Sequence, residues 1–309
     1  LRAGVHPGLL PGGRRVADPA ERAEVEAAWG PVPAEPGRDA RAILEAAARR
    51  ELDVLFLVGV DPLRDHPDAA LARRALQNVR VKVLVDARLD PALEPFVDCV
   101  LPAAPFLEKD GHYTDWEGRG QRLRPVRDPI GLARPDWEIF AGLAVACGED
   151  LGFETLDELR AEAGPLLAPR PAPPLDDPGP VERPARGDGL VLFTYPLLVD
   201  EGRLVDDAQE LTRALGDEAF LEVHPEDAAR LGLGDGRPAR VRTAEGVAEL
   251  PVRVSDGVAP GAAFVPFTAP GFAANVLLSG AFRAEATVEP IRGEEPAAAP
   301  EDAAAGGGG

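Results

Sequence analysis

Two apolar runs, Asp53-Val54-Leu55-Phe56-Leu57-Val58 and Arg80-Val81-Lys82-Val83-Leu84-Val85, set the fold class. Each is short and rich in β-branched residues. Runs of this kind belong to strands buried in a parallel sheet. The flanking sequence agrees. Asp39 stands where an N-cap belongs, and Ile43, Leu44, Ala47 and Ala48 recur on one side of a helix reaching about residue 50. Residues 59–67 read as a loop and 68–76 as a helix. Residues 91–96 form a short helix or turn, and 97–101 a third strand that holds Cys99 as a small core residue. Strands alternating with helices imply βαβ units and an α/β domain. Asp61 and Asp86 lie just past strand ends, where such sheets bind ligands. A turn or cap role is the ordinary reading of both.

Past the third strand, residues 102–135 lose this periodicity. Their centre, E-K-D-G-H-Y-T-D-W-E-G-R-G-Q-R, is long and polar, which within a domain points to a functional or interfacial segment. Glu117 and Arg119 sit one residue apart in a Gly-flanked loop, where an Arg fork meets a carboxylate well. Internal anchoring of the loop is the preferred reading. Trp116 and Trp137 read as packing anchors. Helices are expected over 19–28, 136–147 and 153–162, the last opened by a Thr155/Glu158 capping box.

Residues 164–189 hold eight prolines in 26 residues and read as an extended, semi-rigid linker. Beyond it, strands are expected over 190–194, 219–223, 238–243, 247–254 and 262–267. Helices are expected over 206–215 and 224–231, with Pro225 suited to a first turn. Short strands separated by Gly-rich turns favour a compact barrel. Residues 293–309 carry too little apolar content for a core and read as a disordered tail. The domain reading is therefore 1–163 α/β, 164–189 linker, 190–292 barrel and 293–309 tail.

Composition sets the exclusions. A chain of 309 residues suggests two domains at about 150 residues each. The formal charge of −20 opposes nucleic-acid binding. Two cysteines outside any CxxC pair cannot supply an iron–sulfur cluster or structural zinc. No metal site or catalytic residue is expected. His112 lies near Asp110 and Asp115, but ordinary hydrogen bonding accounts for it. There is no Walker loop, no G-x-S-x-G, no H-E-x-x-H and no long uncharged apolar run. Leu1 and the opening L-R-A-G-V-H-P-G-L-L-P-G-G-R read as the interior of a longer protein.

The segment P-A-A-P-F-L-E-K-D-G-H-Y-T-D-W-E-G-R-G-Q, residues 102–121, resembles a signature of the molybdopterin oxidoreductase superfamily. Glu108, Gly111, Glu117, Gly118, Arg119 and Gln121 match its pattern, and Asp115 stands where the family usually has Asn. Asp136-Trp137-Glu138-Ile139 matches the motif that follows. His224-Pro225-Glu226-Asp227-Ala228-Ala229-Arg230-Leu231-Gly232-Leu233 resembles the start of the C-terminal dinucleotide-binding domain, and Asn275 falls near a motif close to its end. The opening, the short last domain and the Ala/Pro-rich insertions look most like the large iron–sulfur subunit of NADH:quinone oxidoreductase, respiratory complex I.

The resemblance implies the C-terminal part of a molybdopterin-oxidoreductase-like α/β domain with a parallel sheet, then a small double-psi β-barrel. It implies a non-catalytic part in architecture and assembly, with iron–sulfur clusters in upstream portions. It also implies flavin- and cluster-binding subunits as partners, on the cytoplasmic, inner face of the membrane. No cofactor is expected in this stretch. Asp115 is acceptor-only when ionised and repels a pyrophosphate. Residues 194–209 lack the polar run that holds a nucleotide in active members, and Arg203 alone compensates weakly. Lys109, Arg122, Arg124 and Arg127 supply local positive charge suited to an acidic neighbouring subunit or to a pterin pyrophosphate. The alternative is a fragment of an active molybdopterin enzyme of the formate dehydrogenase or nitrate reductase kind, carrying molybdopterin guanine dinucleotide.

Overall fold

The computed structural model describes residues 6–115, 119–168, 189–200, 202, 205, 208–278, 280 and 283–291. The chain forms two compact units, Leu1–Arg183 and Pro184–Gly309.

In the first unit, helix α1 (Pro19–Trp29) begins at an Asp18 N-cap whose side chain accepts from Ala20 and Glu21 N–H. Asp39 caps α2 (Ala40–Ala48), accepting from Ala42 N–H. Strand β1 (Val54–Val58) follows, then α3 (Ala69–Asn78), capped by Asp68. Strands β2 (Val81–Asp86) and β3 (Cys99–Pro102) complete a parallel sheet of order β1-β2-β3. The β1/β2 register sets Val54 beside Val81 and Val58 beside Val85. Leu55, Leu57 and Leu84 therefore face one side, where they pack with Leu44, Leu71 and Leu76. On the opposite side Val83 and Val85 meet Ala103 and Ile139. Removing one such leucine from water contributes about 1.5–3 kcal/mol.

The expectation of a fully buried first strand fails. Val54, Phe56 and Val58 of β1 are exposed, because β1 is an edge strand covered on one face only. Cys99 is likewise exposed rather than a core residue, since it lies on β3, the other edge. The 102–135 segment is more ordered than its sequence suggests. It contains a hairpin, β4 (Gly111–Thr114) with β5 (Gly120–Leu123), which pairs Gly111 with Leu123 and His112 with Arg122. Polar side chains on an exposed ribbon give no alternation to read.

Helix α4 (Asp136–Ala146) places Ile139 on the sheet. Helix α5 (Leu156–Leu167) opens with the expected Thr155/Glu158 capping box but continues past residue 164, through Pro165. Tertiary contact holds the extension. The buried Arg14 guanidinium donates to Leu166 O at 2.6 Å and to Pro11 O at 2.8 Å, satisfying a carbonyl at the helix end. Gly12, at φ +74°, lets the N-terminal turn approach, and a Cβ there would lie 2.3 Å from Leu166 O.

The second unit is a closed barrel. Its strands are β6 (Leu190–Tyr195), β7 (Leu221–Val223), β8 (Pro238–Arg242), β9 (Val247–Val254), β10 (Ala262–Pro266) and β11 (Arg283–Pro290). Around the barrel the order is β8-β9-β7-β10-β6-β11, closing back on β8. The pairs β9/β7 and β10/β6 are parallel and the remainder antiparallel. Leu192, Leu221, Val223, Val241, Val265, Leu277 and Ala286 fill it. Phe193, Tyr195, Phe220 and Phe264 form a separate ring cluster, with the Arg253 guanidinium 3.5 Å from the Phe220 centroid. Helices α6 (Gln209–Leu215) and α7 (Pro225–Leu231) complete the unit, and His224 caps α7 through its Nδ1. Sequence reading missed β11, the strand that closes the barrel. Its only buried residues are the small Ala286 and Val288. The expected tail and residues 169–188 of the expected linker lie outside the described residues.

Candidate functional site

The signature segment is held together by ion pairs among its own residues. Glu108 is the buried member of the first. Arg127 donates to its Oε1 through Nε at 2.8 Å and through Nη2, and Ile130 N–H donates to Oε2 at 3.2 Å. A buried carboxylate so satisfied fixes the loop on which Arg127 and Ile130 lie. Asp110 sits between the guanidiniums of Arg122, at 2.7 Å, and Arg160 of α5. The Arg122 hydrogen bond, reinforced by Arg160, lowers the Asp110 carboxyl to about 2. Lys109 pairs with Asp136, the first residue of α4. One contiguous run, Glu108 to Asp110, thus ties together the loop, the hairpin and two helices.

The hairpin turn uses Asp115. Its Oδ1 accepts from Arg119 N–H at 2.9 Å, and its Oδ2 lies 3.9 Å from Arg119 Nε. In both contacts Asp115 acts as an acceptor, so a carboxylate serves there where the family pattern has an amide. Gly111 and Gln121 lie on the two hairpin strands, Gln121 opposite Tyr113. Glu117, Gly118 and Trp116 lie outside the described residues, so Asp115 is the partner of Arg119 that can be named. Trp137 packs against Phe153 with centroids 6.3 Å apart. Beside these elements runs an open groove of about 460 Å³, lined in part by Glu108, Arg127, Leu132 and Arg134. A second, of about 370 Å³, is lined in part by His112, Tyr113 and Trp137.

The two aspartates past the strand ends take the roles of caps and turns. Asp61 accepts from Leu63 N–H at 2.9 Å and caps one helical turn, Pro62–Asp65. Its second oxygen is buried with no partner. Burial raises its pKa, and the nearby Asp90 and Asp65 charges add to the rise. Asp86 accepts from Arg88 N–H at 3.2 Å.

In the barrel, polar groups gather at one corner. Thr194, near the end of β6, pairs with Val265 of the parallel β10. Phe267 N–H donates to Tyr195 O, and Ala274 N–H donates back to Phe267 O, which sets the turn Ala274–Val276 beside these strand ends. Asn275 is buried within that turn. The Thr194 and Thr268 hydroxyls are buried and lack a partner. Sequence reading singled out Asn275 but neither threonine. Arg203 lies outside the described residues. Among the described residues no three His, Cys, Asp or Glu side chains converge as metal ligands.

A segment knitted by ion pairs beside a parallel sheet, followed by a closed barrel, matches two family models. The Molybdopterin oxidoreductase model covers residues 12–146, and the Molydopterin dinucleotide binding domain model covers residues 205–290. Over most of its length the chain is homologous to domains of the molybdopterin-oxidoreductase superfamily. Acetylene hydratase from Pelobacter acetylenicus shares the fold, with a TM-score of 0.51 at 17% identity over 81% of this chain and 46% of that one.

Over most of its length the chain is homologous to the G subunit of NADH-quinone oxidoreductase. It is 37% identical to the Streptomyces coelicolor protein of that name over 83% of this chain and 31% of that protein. It is 34% identical to the second G-type protein of Rhizobium meliloti over 85% of this chain and 33% of that protein. The alpha subunit of the F420-dependent formate dehydrogenase 2 of Methanococcus maripaludis is 30% identical over 90% of this chain and 47% of that protein. The chain thus spans about a third of the length of its NADH-quinone oxidoreductase relatives.

One expectation is overturned. The sequence reading places no cofactor-binding element in this stretch, yet a dinucleotide-binding domain match covers residues 205–290. The expectation rests on the polarity of 194–209 and on the charge of Asp115. The match lies mostly beyond that run, across the barrel strands and the Ala274–Val276 turn. Polar groups delivered there by strand pairing leave no local polar run in the sequence.

Proposed function

We propose that this chain is a structural, non-catalytic portion of the large peripheral-arm subunit of an NADH:quinone oxidoreductase. The complete subunit passes electrons from NADH and flavin through iron–sulfur clusters toward quinone. The observation that carries this reading is the ion-paired segment. Glu108, Lys109 and Asp110 are each engaged by a cation or anion of a neighbouring element, so the family motif acts here as a clasp. Similarity to the NADH-quinone oxidoreductase relatives supports the assignment. In this reading the chain sits peripherally on the cytoplasmic face; among the described residues no helix is long and apolar enough to cross a membrane. Its partners in this reading are the flavin- and cluster-binding subunits of the same arm. We keep the division into an α/β domain, a linker, a barrel over 190–292 and a tail over 293–309, with α5 carrying the α/β domain to Leu167 instead of residue 163. A mixed six-stranded barrel with two parallel pairs supports the double-psi form.

A second reading, part of an active molybdopterin-dependent oxidoreductase, is favoured by the barrel corner. Two buried hydroxyls without partners fit the polar edge of a nucleotide. Thr194, Thr268 and Asn275 would hold that edge. The bound group supplies oxidation–reduction at a metal carried by its pterin. Metal and pterin analysis of the purified full-length subunit separates the readings. The structural reading expects the subunit to co-purify with flavin- and cluster-binding subunits, and NADH oxidation to be lost when it is deleted. Stoichiometric molybdenum or tungsten overturns it.

A further inference from the structure

The loop joining the hairpin to α4 displays what a folded chain normally buries. Val126, Ile130 and Leu132 are 78%, 62% and 82% exposed, three large aliphatic side chains within seven residues. Folding gains nothing from such a display. Yet the loop is tied down at several points. Val126 N–H donates to Leu107 O at 2.8 Å, and Ile130 N–H donates to buried Glu108 at 3.2 Å. Arg134 N–H donates to Pro102 O at 3.1 Å, and its carbonyl accepts from Ala104 N–H at 2.8 Å. Both ends and the middle are fixed from beneath, so the aliphatic side chains are presented in a set arrangement.

Three ion pairs of this face share one polarity, while Lys109–Asp136 runs the other way, with side chains 25% and 38% exposed. In Arg127–Glu108 the guanidinium side chain is 60% exposed and the carboxylate 3%, and in Arg134–Glu138 the values are 66% and 35%. Arg122–Asp110 follows the same order, at 49% and 23%. Each of these three pairs is neutral in sum, but the cation points outward and the anion inward. In a chain of formal charge −20, this face offers solvent the outward guanidiniums of Arg122, Arg127 and Arg134, with the exposed Asp128 carboxylate among them, around three aliphatic side chains. The concave groove of about 460 Å³ adjoins them, with Leu132 in its wall.

We propose that the Val126–Leu132 loop is a docking surface for a protein partner that presents an apolar side chain flanked by carboxylates. Exposed guanidiniums beside an apolar centre form the rim and core of a protein interface. Protein is favoured over an anionic bilayer on two grounds. The overall charge repels an anionic surface, and a flat bilayer leaves a concave groove unfilled. The proposal rests on the peripheral-arm reading, since it takes the partner to be another subunit of that assembly.

The test uses the full-length protein in its assembly, with a photo-crosslinking residue at Leu132. Crosslinking to a different polypeptide beside Asp or Glu residues is expected. Amide exchange over residues 126–133 is expected to slow roughly tenfold or more on assembly. The triple variant V126S/I130S/L132S should melt like the parent protein and fail to assemble stably. Arg124→Glu should weaken assembly in a salt-dependent way. An intact assembly whose loop exchanges as in the free protein overturns this proposal alone, as does a crosslink confined to the same polypeptide. Sedimentation with phosphatidylserine vesicles that depends on the three aliphatic residues also overturns it. A full-length protein that purifies alone from its native source removes the peripheral-arm reading and the docking proposal together.

Discussion

The barrel and the three-stranded sheet solve the same problem in opposite ways. The barrel closes on itself, so every strand has two neighbours and Leu192, Leu221, Val223 and Val265 are wholly enclosed. The sheet has two edges and a face only partly covered, leaving Val54, Phe56 and Val58 of β1 exposed. Parallel sheets are ordinarily buried on both faces. The barrel thus encloses its own apolar core, whereas stability in the α/β unit leans on α2 and α3 over one face, on α4 over part of the other, and on the ion-paired clasp.

A pair of truncations puts this contrast under the heaviest load. Leu192→Ala should cost about 3 kcal/mol, because a closed barrel cannot collapse around the cavity. Phe56→Ser should cost less, about 1 kcal/mol, since nearly half of the residue is already in water. Urea unfolding of both variants checks this, and equal losses would refute the contrast. Next in size is Glu108→Ala, expected to destabilise the α/β unit by about 2 kcal/mol by removing the buried carboxylate that pins Arg127 and the Ile130 N–H. Exchange should rise across residues 126–133 while the barrel strands stay protected. A rise spread evenly over both units would remove the clasp from the account.

Two carboxyls of the α/β unit carry smaller effects, readable through pH. The folded pKa of Asp110, about 2, lies below its ordinary value of 3.8. Its contribution is therefore complete above pH 3.8 and fades as pH falls toward 2. Solvent screening holds it to about 1 kcal/mol. Asp110→Asn should flatten the stability profile of the α/β unit in that window. Asp61 should act with opposite sign and smaller effect. Its folded pKa is raised, so the folded state takes up its proton first and gains stability as pH falls from the raised value toward 3.8. Carboxyl titration by NMR should place Asp61 above the ordinary range and Asp110 below it. The reverse order would contradict both local structures.

Much of the fold was legible where side chains act locally. Asp39 and Thr155 each cap the helix their position announces, because a cap needs only its own first turn. The apolar runs at β1 and β2 form strands and Val247–Val254 pairs in the barrel, because alternation and β-branching register in the sequence. The hairpin Gly111–Thr114/Gly120–Leu123 and the strand Arg283–Pro290 escaped notice. The hairpin owes its strand character to backbone pairing between its own polar arms, and Arg283–Pro290 to pairing with distant strands, in neither case to a run of apolar side chains. The site divides in the same way. Asp115 and Arg119 meet four residues apart within the motif. Arg160 reaches Asp110 across fifty residues, and no spacing foretells that.

The α/β class, the caps, the superfamily motif and the acidic balance follow from the amino-acid order, because all are properties of neighbouring residues or of simple composition. What is buried and what is paired came from the folded chain. Folding set Cys99 and Phe56 on uncovered edges, and it extended α5 through Pro165 by lending the Arg14 guanidinium to Leu166 O. It also turned Arg127 and Arg134 outward and brought two unpartnered threonine hydroxyls to one barrel corner. The physical reason is common to all of these. Burial and hydrogen-bond satisfaction depend on which surfaces meet, and that is a property of the three-dimensional packing rather than of any window along the chain.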